Sequence, residues 1–253
     1  MTRALSTNTM ESTSLQPASA PAGKFLSRFL IITVTICILI SPGYIFFSER
    51  GGIGFIEGVT VKQLLHLIFP FFGLYAFTLV WGQIIIGTCK PLIKKIFPGI
   101  GRFHRLEGIF AFIFALIHPV LLIGSLGAVT YLKYEFVGPN KKIFVLLGVT
   151  ALLLLIVTVT TALLMRLPWL QKRWKKLHYA NYAVFILVFI HSWNLGTDIQ
   201  GSPLQYLWMF FAVSAGLGTL YRIWRAIVKR RTAMSAQSAT ASEPTNSLNP
   251  PNS

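Results

Sequence analysis

Four of the five histidines in this chain fall into two pairs of nearly equal spacing. His104 and His118 are 14 residues apart in residues 101–119, GRFHRLEGIFAFIFALIHP, and His178 and His191 are 13 apart in residues 174–193, WKKLHYANYAVFILVFIHSW. At a helical rise of 1.5 Å per residue, each pair spans roughly 20 Å along a helix axis. Neutral imidazole is a good axial ligand for haem iron. Two parallel helices carrying these pairs would hold two planar groups, one above the other. With two imidazoles on each iron no coordination position stays open, so such a group would transfer electrons and not bind oxygen directly. Two other chemistries compete. Zinc needs four ligands converging on one point, which a separation of roughly 20 Å forbids. A proton relay needs Asp or Glu inside the membrane, and Glu107 is the one candidate. The two spacings are not equivalent. At about 100° per residue, 14 residues return to within roughly 40° of the starting face, whereas 13 miss it by about 140°. The helix carrying His178 and His191 must therefore twist, bulge or tilt, or present its rings from different sides.

The elements that would carry these residues are membrane helices. The chain has 253 residues, 54% hydrophobic and 12% charged, about half the charge of a soluble domain. Its apolar runs are continuous, not alternating, which favours helices over a barrel. Six spans are expected: a first run from Lys24 to Phe47, then residues 61–87, 104–128, 143–165, 177–194 and 204–227. Of the 23 Lys and Arg residues, Arg50, Lys62, Lys133, Lys141 and Lys142 fall on one side of these spans and the other 18 on the opposite side. Cytoplasmic loops of bacterial-type membrane proteins concentrate positive charge. The expected fold is therefore an all-α, six-transmembrane-helix bundle in the cell inner membrane, with both termini cytoplasmic. This topology makes the third and fifth spans parallel. It places His104 with His178 at the cytoplasmic level and His118 with His191 at the outer level. Residues 1–24 and 232–253, rich in Ser, Thr, Ala and Pro, read as a disordered leader and tail around a membrane domain at 25–231.

The net charge of +16 follows from topology, and no basic platform for nucleic acid lies outside the apolar segments. Cys37 and Cys89 form no C-x-x-C or C-x-x-C-H motif, so neither a redox dithiol nor covalent haem attachment is written here. Arg102, Arg105, Lys175 and Lys176 are candidate partners for haem propionates, or ordinary loop charge. Gly108 would let a macrocycle approach the third helix. Phe110, Phe112 and Phe114 read as packing. His66 has no partner on its own run and reads as an interfacial or bundle-facing polar residue. Pro70 is expected to kink the second helix.

The pattern H-R-x-x-G with a second histidine fourteen on (His104, Arg105, Gly108, His118), followed by W-x-x-L-H with a second thirteen on (Trp174, Leu177, His178, His191), resembles the ferric reductase-like transmembrane domain. That family includes the membrane parts of ferric reductases and NADPH oxidases, and the haem-binding subunit of a periplasmic methionine sulfoxide reductase. The resemblance covers about residues 25–230. It implies two haem b groups carrying electrons across the membrane. In the family a flavin and nicotinamide dehydrogenase domain usually follows the sixth helix. Here 22 residues follow Arg231, with no Gly-rich nucleotide fold. The expected cytoplasmic-side donor is therefore a separate protein, a quinone or a free reduced flavin, with FMN or FAD supplied by a partner. The methionine sulfoxide reductase branch typically has arginine where this chain has His104. The complete histidine set, and Leu195-Gly196-Thr197-Asp198 followed by Ser202-Pro203, resemble the ferric reductase side. The expected outer acceptor is ferric iron or another metal chelate; the alternative is a periplasmic reductase subunit. A reading of another class is a haem-free membrane scaffold or transporter whose histidines only form hydrogen bonds.

Overall fold

A computed structural model describes residues 21–241 of the chain. The described residues are helical, with no strand among them. The long helices are α1 (Pro21–Ser48), α2 (Val61–Ile96) and α3 (Ile100–Leu126). The short α4 (Ala128–Leu132) leads to α5 (Lys142–Leu163). Two short helices, α6 (Pro168–Gln171) and α7 (Trp174–His178), then precede α8 (Ala180–Leu195) and α9 (Leu204–Ala241). Among the described residues, four segments are long and apolar enough to cross a membrane: Phe25–Ser48, Val61–Ile96, Ile100–Leu126 and Pro139–Leu163. Large apolar side chains along α1, among them Phe25, Leu26, Phe29 and Leu30, face outward, as lipid contact requires.

Local chemistry sets several boundaries. Thr60 and Gln63 form a reciprocal cap at the start of α2: the Gln63 amide donates to Thr60 Oγ1 at 3.4 Å, and the Thr60 amide to Gln63 Oε1 at 2.9 Å. Helix α3 stops at Gly127, whose φ of +89° side-chain-bearing residues rarely adopt. Pro70 and Pro91 lie inside α2, and Pro119 inside α3. Each lacks the amide that would bond four residues back.

Helix α2 is the hub. It packs along α3 and also meets α1, α8 and α9, while α8 packs mainly on α5. An aromatic cluster joins α2, α8 and α9: Phe77 stacks on Phe185 at 5.2 Å and lies 5.0 Å from Trp208, and Trp81 stacks on Phe211 at 4.5 Å. Indole donors tie the same helices together. Trp81 Nε1 donates to Ser214 Oγ at 2.8 Å, and Trp208 Nε1 to Ser192 Oγ at 2.9 Å. Inside a bilayer such bonds hold helices where the hydrophobic effect does not. The second bond anchors α8 one residue from His191.

Two differences from the sequence reading stand out. The expected disordered leader and tail lie mainly outside the described residues. Their described parts, 21–24 and 232–241, are helical, because α1 and α9 continue past their apolar cores. The expected fifth span, residues 177–194, is not one helix. It breaks at Tyr179, which closes α7 and opens α8, with i to i−3 bonds from Tyr179 N to Lys176 O at 3.2 Å and from Tyr182 N to Tyr179 O at 3.1 Å.

At the opposite end of the bundle Arg50, just past α1, forms an ion pair with Asp198 in the α8–α9 loop. The guanidinium also donates to Phe46 O at 3.0 Å and lies 3.8 Å from the Phe46 ring centre. Asp198→Ala leaves this half-buried cation without its carboxylate. It is expected to destabilise the protein by about 2 kcal/mol, read as a lower thermal unfolding midpoint in detergent. An unchanged midpoint would show that the pair is worth no more than an exposed bridge.

Candidate functional site

The structure brings the four histidines together in two pairs. His104 on α3 faces His178 at the end of α7, with ring centres 6.2 Å apart and planes at 81°. His118 on α3 and His191 on α8 line one cavity of about 890 Å³. Early pairs with early and late with late, so α3 and the α7–α8 segment run in the same direction. The joint at Tyr179 lies inside the 13-residue interval: its backbone stays right-handed helical (φ −68°, ψ −17°), but its bonds are of the tighter i to i−3 kind, so the 100° register of one regular α-helix does not run unchanged from His178 to His191.

The rings at this cavity are anchored by the same device twice. His118 Nδ1 lies 2.8 Å from Phe69 O on α2, and His191 Nδ1 lies 2.8 Å from Phe144 O on α5. A carbonyl only accepts, so Nδ1 carries the proton in both rings and Nε2 keeps its lone pair. Four residues after each carbonyl stands a glycine. A Cβ on Gly73 would come within 2.8 Å of the His118 ring, and one on Gly148 within 2.5 Å of the His191 ring. The motif is Phe-x-x-x-Gly on both helices, Phe69 to Gly73 and Phe144 to Gly148. The carbonyl orients the imidazole and the missing side chain makes room for it. Metal-ligating histidines are commonly held in this way, their other ring nitrogen donating to a carbonyl.

The other pair is held differently. Gln83 on α2 donates through Nε2 to the His104 main-chain oxygen at 2.7 Å and also bonds the Glu107 carboxylate. The Asn181 side-chain amide lies 3.4 Å from His178 Nδ1, and the Trp174 ring 5.9 Å from the His178 ring. Among the described residues, His104 Nδ1 and Asn181 Oδ1 are buried without a hydrogen-bond partner.

These residues fit haem. Two imidazoles on opposite sides of one metal ion, at roughly 2 Å per bond, have ring centres roughly 6 Å apart, and His104 and His178 stand 6.2 Å apart. The cavity at the other pair has an apolar body, including Leu74, Phe77, Val80 and Leu155, and a polar margin with Arg50, Tyr131 and Lys141. That combination suits a flat apolar ring system with an anionic edge.

The basic residues flanking the histidines, Arg102, Arg105, Lys175 and Lys176, are all exposed. The cations close enough to act electrostatically on the His104–His178 pair are Lys90, on both rings, and Arg222, on His178. Lys90 lies in the last two turns of α2 and Arg222 midway along α9. Gly108 does not open space for a macrocycle; a Cβ there would lie 3.1 Å from Gln83 Oε1. Glu107 is buried, 8% exposed, against Gly82. His66 lines the same cavity as His118 and His191, with Nδ1 3.4 Å from Ser125 Oγ. The sequence reading missed Gly73, Gly148, Gln83, Lys90 and Arg222. The repeated Phe-x-x-x-Gly was the available signal for the first two.

The haem-binding subunit MsrQ of a protein-methionine-sulfoxide reductase from Xanthomonas campestris is 28% identical over 165 residues, covering 63% of this chain and 70% of that protein. The protein of the same name from Rhizobium meliloti is 26% identical over 182 residues, covering 71% of this chain and 76% of that one. The magnetosome protein MamZ of Magnetospirillum gryphiswaldense is 31% identical over 139 residues, covering 54% of this chain but 21% of that protein. No solved structure matches. The family model described as ferric reductase like transmembrane component matches residues 63–189, from the first turns of α2 into α8, and includes His104, His118 and His178. This multi-pass membrane protein belongs to the ferric reductase-like transmembrane component family.

Proposed function

We propose that the chain is the di-haem membrane subunit of an electron-transfer system that serves a reductase on the outer side of the membrane. The observation that carries this reading is the pairing of imidazoles at two levels of one bundle, 6.2 Å apart at one level and around a shared cavity at the other. In the proposed topology residues 25–231 form six spans, with α8 and α9 added to the four apolar segments named above, and both termini are cytoplasmic. His104 and His178 then lie at the cytoplasmic level and His118 and His191 at the outer level. His104 with His178, and His118 with His191, would each hold one haem b, which would supply one-electron chemistry. The inner pair receives electrons from a flavoprotein, a quinone or a reduced flavin. The outer pair delivers them across the membrane.

The relatives named as haem-binding subunits of methionine sulfoxide reductases support a partner reductase as the acceptor. A second reading, ferric chelate as acceptor, is favoured by His104, because that branch typically has arginine there. The test begins with the purified protein, which is expected to show a Soret band, a reduced b-type α-band and about two haems per chain. Absence of a haem spectrum would leave the histidines as hydrogen-bonding groups of a scaffold or transporter. The reduced protein is then mixed with a methionine sulfoxide reductase plus methionine sulfoxide, or with ferric citrate. Fast reoxidation by the first supports the partner reading. Reoxidation by ferric citrate alone selects the second.

A further inference from the structure

The break between α7 and α8 is held by a residue of a third helix. Arg222 on α9 donates from Nη1 to Tyr182 Oη at 2.9 Å and from Nη2 to Tyr179 Oη at 3.3 Å. Its guanidinium carbon lies 5.0 Å from the Tyr179 ring centre and 5.9 Å from that of Tyr182. Tyr179 is the break residue, and Tyr182 lies in the first turn of α8. The planar fork of arginine suits two donors aimed at two acceptors; the single ammonium of lysine does not. Arg222 is itself firmly placed. One turn earlier Gly218 lets α9 approach α2 so closely that a Cβ there would lie 2.9 Å from Thr88 Oγ1. Arg222 is also close enough to His178 to act on it electrostatically.

The His104–His178 pair needs such a support. The outer-level rings are tied at 2.8 Å to carbonyls of rigid helices. At the other level His104 Nδ1 has no hydrogen-bond partner and His178 has one contact at 3.4 Å. His178 also ends a five-residue helix, so its direction depends on the angle at the break.

We propose that Arg222 is the positioning residue of this pair: clamping Tyr179 and Tyr182, it sets the direction in which His178 is presented to His104 and places a permanent positive charge beside His178. The clamp orients the ligand. The charge favours the reduced over the oxidised state of whatever redox group the pair holds, because reduction adds negative charge. This rests on the paired-haem reading.

The test uses the full chain purified with haem, with the outer-haem signal, identified by its loss in His118→Ala, as internal reference. Tyr179→Phe with Tyr182→Phe keeps the cation and removes both hydrogen bonds. It is expected to weaken retention of the inner haem about tenfold or more and to shift its low-spin paramagnetic resonance signal. Arg222→Lys is expected to do the same while keeping the inner midpoint potential near that of the wild type. Arg222→Gln is expected to lower that potential relative to the outer haem. Wild-type retention and resonance signal in both clamp variants would overturn the positioning role, and an unchanged potential in Arg222→Gln would overturn the charge role. If Arg222→Gln does not fold, the double tyrosine variant decides the positioning role and Arg222→Met replaces it for the charge. Wild-type protein without haem would instead overturn the underlying reading.

Discussion

Replacing His118 with alanine is expected to remove one haem, leaving about one per chain, and to stop electron transfer across the membrane. The His104–His178 pair should remain spectrally intact. His118 and His191 line one cavity, and each ring is tied to a different helix, His118 to α2 and His191 to α5. Neither ring can swing over to replace the other. Alanine would therefore leave His191 without its partner, because the remaining imidazole of the cavity, His66, has its Nδ1 3.4 Å from Ser125 Oγ. His191→Ala should give the same loss, and the double variant no more than either single change, because both ligands act on one centre. Haem content and reduced α-band spectra read the first effect; vesicles with reductant inside and an impermeant acceptor outside read the second. Survival of both haems in His118→Ala would show the pairing to be wrong.

Gly148→Ala is the more searching experiment, since it adds one methyl group and touches no ligand. That methyl would stand 2.5 Å from His191 Nδ1 and 2.6 Å from Cε1, well inside contact distance. The ring cannot yield easily, because Nδ1 is held by Phe144 O on the same helix and α8 is fastened beside it through Ser192 and Trp208. The expected result is about a tenfold to hundredfold weaker hold on the outer haem, with the inner haem unchanged. Gly73→Ala should act likewise through His118. Gly216→Ala on α9 is the control. Nothing lies within 4 Å of a Cβ there, and alanine is the better helix former by about 1 kcal/mol. If Gly148→Ala and Gly216→Ala retained haem equally well, Gly148 would have no part in shaping the site.

Much of the site could be read from residue order alone. Continuous apolar runs mark a membrane protein, because a backbone in lipid must satisfy its own hydrogen bonds. Imidazoles cost free energy in such helices, so four at matched spacings point to ligands, and loop charge indicates which of them meet. What residue order left open was relational. The 13-residue interval between His178 and His191 conflicts with a straight helix, and only the folded chain shows the tighter turn at Tyr179 that lies within it. Arg102, Arg105, Lys175 and Lys176 are neighbours of the histidines in sequence, yet Lys90 and Arg222 are their electrostatic neighbours in space. The glycines and carbonyls that seat His118 and His191 lie more than 40 residues from them, on other helices. Helical periodicity is a local property written into the chain. Which carbonyl, cation or gap meets a given ring depends on how helices pack across long sequence separations, and only the tertiary structure decides that.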